Sequence, residues 1–99
     1  MPNQKLRPIH PGEVLNEEFI KPLNISQRKF AELLGVTHTR LNQIVLEKRA
    51  ITADSALRLS KALGTTPGYW MNLQTRFDLD VAEDQHGDQI EKEVHPIQI

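Results

Sequence analysis

The sequence predicts an all-α domain of five helices, and three observations carry that reading. Apolar residues recur at helical spacing through most of the 99-residue chain. Ser26, Thr37, Thr52 and Thr66 each precede such a stretch in N-cap position, and Gly35 and Gly64 each close one. Aromatic residues make up only 5% of the chain, while helix formers are common.

Before the first helix, Met1 to Arg7 is polar and capless and reads as a flexible arm. Pro11 suits a first helical position, where its missing N–H is no loss, and Glu13 lies near the positive end. Val14, Leu15, Phe19 and Ile20 form the buried stripe of this helix, and Pro22 is expected to end it by driving Lys21 out of helical geometry.

Ser26 caps the second helix, whose Phe30, Ala31 and Leu34 face inward. Gly35 turns the corner, and Thr37 caps a third helix from about His38 to Val45, with Leu41 and Ile44 as inward knobs. Leu46 is expected to be core or partly buried.

Thr52 caps the fourth helix, which carries Ala56, Leu59, Ala62 and Leu63 and stops at Gly64. Thr66 and Pro67 begin the fifth, with a stripe of Trp70, Leu73, Phe77 and Val81 widened by Tyr69 and Met71. One side of it closes the core. The other is either core as well or a dimer interface through Tyr69, Trp70 and Phe77.

The domain is thus placed at residues 8–80, with 81–99 as an acidic tail that contacts a second subunit or another protein. Asp80 to Lys92 reads as a linker or frayed helix end broken at Gly87. Glu93 to Ile99 alternates apolar and polar residues, so it is either a short C-terminal strand paired with another chain or an unpaired end.

Composition narrows the function. A chain this short has room for one modest core. No apolar run is long enough to span a membrane, and the start lacks the basic-then-apolar pattern of a signal peptide. With no cysteine, disulfides and thiolate metal sites are excluded, and the expected location is cytoplasmic. The net charge of −1 hides a division: 11 Lys/Arg against seven Asp/Glu up to Leu79 give +4, and one against six from Asp80 on give −5. A basic unit beside an acidic tail fits phosphate binding, as it also fits a solvated mixed surface.

Ser26 to Leu46 reads as a helix-turn-helix unit. Its second helix presents Thr37, His38, Thr39, Arg40, Asn42 and Gln43 opposite its apolar face, which is what reading base edges in a major groove requires. Arg40 and Gln43 suit base edges or phosphates, and Asn42 suits adenine. Gln27, first in the preceding helix, suits a phosphate beside free backbone N–H groups, and Lys48 and Arg49 suit the DNA backbone. Read one by one, each of these is equally a solvated polar residue; only the unit they share speaks for DNA.

Chemistry of other kinds finds no support. His10, His38, His86 and His95 are scattered without metal-ligand spacing, Ser26, Ser55 and Ser60 lack an elbow-like glycine context, and there is no glycine-rich phosphate loop. The expectation is a protein that is not an enzyme and needs no metal or cofactor.

The ordered set Ile9-His10-Pro11-Gly12-Glu13, Phe19, Ser26-Gln27, Leu33-Leu34-Gly35-Val36, Lys48-Arg49-Ala50-Ile51-Thr52, Arg58-Leu59, Leu63-Gly64-Thr65-Thr66-Pro67, Trp70, Leu73-Gln74 and Phe77-Asp78-Leu79 resembles the HigA-type antitoxins. These are a group within the phage-repressor-like helix-turn-helix proteins, and the match covers residues 8–80. The chain departs from the family pattern twice. Leu46-Glu47 stands where Asn-Gly is common, and Phe77 where Tyr is frequent. The resemblance implies a homodimeric repressor of its own toxin–antitoxin operon, with double-stranded operator DNA and an mRNA-cleaving ribonuclease toxin as partners. The toxin rests on the resemblance alone. A stand-alone regulator of the same fold and a protein-interaction module that has lost DNA are the alternatives.

Overall fold

The computed structural model describes residues 7–98, so the expectations for Met1 to Leu6 and for Ile99 lie outside it. Among the described residues the chain forms five helices and no strand. The first, α1, is one continuous run of Pro11–Leu15, a wider π-helical turn Asn16–Ile20, and Lys21–Leu23. The others are α2 (Gln27–Leu34), α3 (His38–Val45), α4 (Ala53–Leu63) and α5 (Pro67–Glu93).

Local chemistry sets most boundaries as expected. Ser26 Oγ accepts from the Lys29 N–H at 3.0 Å, Thr37 Oγ1 from Arg40 at 3.1 Å, Thr52 Oγ1 from Ser55 at 3.2 Å and Thr66 Oγ1 from Tyr69 at 3.1 Å. Gly35 and Gly64 end their helices at φ of 72° and 74°.

Pro22 does not end α1. Lys21 stays helical (φ −62°, ψ −50°) and donates its N–H to the Asn16 carbonyl, five residues back. The wider π turn relieves the clash a proline ring makes with the preceding helical turn, so the helix continues until Asn24 takes the left-handed cap at φ 55°.

The N-terminus of α1 is capped by an imidazole. His10 Nδ1 accepts from the Gly12 N–H at 2.9 Å, and the buried His10 ring packs edge-on against Phe77 of α5 with centroids 4.8 Å apart. Gly12 lies directly against the backbone of α3: a Cβ there would overlap the Ile44 carbonyl oxygen. Only glycine allows this approach.

The core is Leu15, Ile20, Phe30, Ala31, Leu34, Leu41, Ile44, Ile51, Ala56, Leu59 and Trp70. Burial of this apolar set is the main stabilising term, each large side chain contributing ~1.5–3 kcal/mol. Trp70 is 0% exposed and donates Nε1–H to Thr65 Oγ1 at 2.8 Å, so it closes the domain and is no part of an exposed interface. Leu46, expected to be core or partly buried, is 52% exposed, because its position in the turn of the chain is away from the face that Leu41 and Ile44 bury.

Helix α5 is the largest departure from expectation. It runs 27 residues, about 40 Å at 1.5 Å per residue, passing through Asp80, Gly87 and Lys92. Its acidic second half is helix, not linker. A mid-helix glycine costs only ~1 kcal/mol, and pairs at i,i+4 spacing support the exposed turns: Arg76 Nε–Asp80 Oδ2 at 3.3 Å and Gln89 Nε2–Glu93 Oε2 at 2.9 Å. Beyond Val94, residues through Gln98 form no strand. An edge strand needs a partner, and no described segment offers one. No described helix is long and apolar enough to cross a membrane.

Candidate nucleic-acid interface

Helices α2 and α3 pack through Phe30, Ala31, Leu34, Leu41 and Ile44, all buried, which leaves the first turns of α3 facing out. Thr37, His38 and Thr39 are exposed there, and Asn42 and Gln43 are half-buried one turn on. The Thr37 hydroxyl accepts the Arg40 N–H and keeps its own proton free to donate outward. The N-terminal part of such a helix is the part that meets base edges.

Arg40 is placed differently from the sequence reading. Its guanidinium turns back toward α4, where Nη2 donates to Asp54 Oδ1 at 2.9 Å and to Ser55 Oγ at 3.0 Å. The same Asp54 oxygen accepts from Arg58 Nε at 2.8 Å, and Arg58 Nη1 donates to the Leu34 carbonyl at 3.0 Å. Hydrogen bonds from Arg58 first and Arg40 second hold the Asp54 carboxyl below the usual carboxylate range. Arg40 therefore ties α3 to α4, its guanidinium turned toward Asp54 and Ser55, while Arg58 on the same carboxylate reaches the end of α2.

Gln43 and Arg49 are joined. Arg49 Nε and Nη2 both donate to Gln43 Oε1, at 2.9 and 2.7 Å. This leaves the Gln43 amide N–H groups to face an acceptor from a fixed position. Lys48 and Arg49 are both exposed. Gln27, at the start of α2, is half-buried, and its Oε1 is buried without a hydrogen-bond partner among the described residues.

The loop after α3 turns on Glu47, at φ 66°. A non-glycine residue there costs ~1–2 kcal/mol. It is the position where the resembling family commonly carries Gly, so the departure noted in the sequence marks a real backbone constraint. The Glu47 carboxylate also adds negative charge beside Lys48 and Arg49.

Of the residues expected at a dimer interface, Tyr69 is 37% exposed, and Phe77 is half-buried against His10. Farther along, Leu79 is 62% exposed, Ile90 50% and, just past the end of α5, Val94 62%. The sequence reading also placed a partner contact in residues 81–99, but it did not foresee that this stretch is helical to Glu93. It also missed His10, Gly12, Asp54 and Gln74. The first two had a signal in the His-Pro-Gly stretch that opens α1; Asp54 and Gln74 act on residues 14 and 23 positions away, which no local pattern reveals. No group of side chains suited to hold a metal ion occurs among the described residues.

A helix-turn-helix family (HTH_3) matches residues 17–70 of the chain. Antitoxin HigA-1 of Vibrio cholerae is 37% identical over 79 residues, 80% of this chain and 74% of that protein. Among solved structures, antitoxin GraA superposes with a TM-score of 0.91 at 50% identity, covering 94% of this chain and all of that one. GraA in complex with its operator gives 0.89 at 47% identity, with both chains fully covered. The Pseudomonas aeruginosa antitoxin HigA with the higBA promoter gives 0.90 at 43% identity, covering 93% of this chain and all of that one.

Proposed function

The chain belongs to the helix-turn-helix family, among its HigA-type antitoxins, and on that premise we propose that it binds double-stranded operator DNA as a homodimer, represses its own toxin–antitoxin operon and binds a ribonuclease toxin. The observation that carries the DNA reading is the outward start of α3, with His38, Thr39 and Asn42 beside the Gln43–Arg49 pair and Lys48. His38, Thr39, Asn42 and Gln43 contact base edges. Thr37, Gln27, Lys48 and Arg49 hold phosphates. Arg40 acts one step back, as the fastener of α3.

Two copies related by a two-fold place their α3 helices in successive major grooves, about 34–36 Å apart. The stretch from Leu79 through Ile90 to Val94, which runs from the middle of α5 to just past its end and leaves these three side chains exposed, supplies the surface for the second copy or the toxin. The protein acts in the cytoplasm, with the DNA it reads.

The test is a mobility shift on the duplex immediately upstream of the gene and on a scrambled duplex, across salt. Binding to both should fall steeply, with a log–log slope of about −0.9 per phosphate contacted, and the upstream duplex should bind tighter. No shift at low salt would end the DNA reading. Co-purification with the neighbouring gene product tests the toxin, and its absence would leave a stand-alone regulator.

A further inference from the structure

Gln74 is the buried polar residue in the middle of the apolar side of α5, 6% exposed, and the DNA reading above gives it no role. Its Oε1 accepts the Ile51 N–H at 2.7 Å, and its Nε2 donates to Asp78 Oδ1 at 2.9 Å, one turn along the same helix. Both partners are fixed in kind. A backbone N–H only donates and a carboxylate only accepts, so one orientation of the amide satisfies both. Ile51 is itself 3% exposed and ends the basic loop that begins where α3 stops.

The other end of that loop is also tied. The Glu47 N–H donates to the Ile44 carbonyl at 3.0 Å and the Lys48 N–H to the Gln43 carbonyl at 2.8 Å. Lys48 and Arg49 thus lie between an anchor on α3 and an anchor on α5. Resting on the DNA-binding reading, we infer that Gln74, oriented by Asp78, is a positioning residue for DNA binding. It sets where the Lys48–Arg49 loop stands against the phosphate backbone, and it makes that placement depend on the long helix that carries the partner surface.

Donor and acceptor at this contact can be exchanged. Gln74→Glu keeps an acceptor for the Ile51 N–H but sets two carboxylates against each other. Adding Asp78→Asn restores a donor toward the new carboxylate. The wild-type protein, Gln74→Glu and the double variant are each compared with and without Lys48→Ala, by anisotropy titration on the upstream and scrambled duplexes across salt. Circular dichroism and thermal unfolding confirm that each is folded at the assay temperature.

Gln74→Glu should weaken both duplexes on the order of tenfold, flatten the salt slope by about one phosphate, and make Lys48→Ala nearly silent. The double variant should recover the affinity, the slope and the sensitivity to Lys48→Ala. If Lys48→Ala costs the same factor in Gln74→Glu as in wild type, the loop is not placed by Gln74 and the proposal is wrong. Should Gln74→Glu not fold, the same comparison of the double variant with wild type decides: sensitivity to Lys48→Ala retained supports it, and lost contradicts it. Amide exchange of the free wild-type protein gives a reading without DNA. Slow exchange at Ile51 supports the anchor and fast exchange overturns it. A wild-type protein that shifts neither duplex would remove the DNA reading and this role with it, while the exchange result would still report the Ile51 anchor.

Discussion

Arg40, on the helix that faces outward, gives its guanidinium to Asp54 on the next helix at 2.9 Å. The pair is partly exposed, and pairs of that kind contribute ~0–1 kcal/mol. Its consequence is positional: the same carboxylate holds Arg58, which in turn holds the Leu34 carbonyl at the end of α2. Arg40→Ala should lower stability by ~1 kcal/mol and weaken the upstream and scrambled duplexes by similar factors. Titrations of both duplexes check this. A loss confined to the upstream duplex would return Arg40 to the base readers.

Glu47 holds a left-handed backbone at φ 66° beside two cations. Glu47→Gly should raise stability by up to ~1 kcal/mol, because glycine takes that conformation without strain. It should also tighten binding to both duplexes by removing a negative charge. Glu47→Gln separates the effects, tightening DNA binding with no gain in stability. Thermal unfolding and anisotropy titrations read the two.

Gly12 admits α1 to the backbone of α3 at Ile44. Gly12→Ala forces a methyl group onto a carbonyl that belongs to a helix and cannot yield cheaply. The expected loss is ~1–3 kcal/mol, read by denaturant unfolding.

His10 couples the fold to pH. Burial pushes its imidazole below the ordinary histidine value, against the pull of the Glu47 and Asp78 carboxylates. The neutral ring is also what the cap requires, since Nδ1 must accept from the Gly12 N–H. Above the unfolded value of about 6.5, both states are neutral and the full stability is present. As pH falls through that value, the unfolded chain takes up the proton first and stability is lost. His10→Asn keeps a capping acceptor but no titrating ring, so its stability should change less between pH 7 and 5 than that of wild type. Equal losses would remove His10 from the account.

Features that a few neighbouring residues decide were legible in the sequence. Ser26, Thr37, Thr52 and Thr66 cap their helices, and Gly35 and Gly64 end theirs, because these effects act within one turn. Pro22 and Gly87 misled for the opposite reason. Each carries a local penalty that the surrounding helix absorbs, by a π turn in α1 and by supporting side-chain pairs in α5. Arg40 and Trp70 illustrate a second limit. Both lie where the helical pattern alone allows either side of the domain, and their placement depends on Asp54, Ser55 and Thr65. Leu46 was legible from spacing, since five positions after the buried Leu41 and two after Ile44 lies off the inward face of α3, and it is exposed.

The central claim is that α3 reads bases while the loop after it holds phosphates, and Asn42→Ala set beside Lys48→Ala tests it most directly. The quantity is the ratio of affinities for the upstream and scrambled duplexes at fixed salt. Asn42→Ala should lower that ratio by roughly 5- to 150-fold, the value of one base contact of ~1–3 kcal/mol, while Lys48→Ala weakens both duplexes and leaves the ratio unchanged. An Asn42→Ala protein that loses affinity for both duplexes equally would contradict the account.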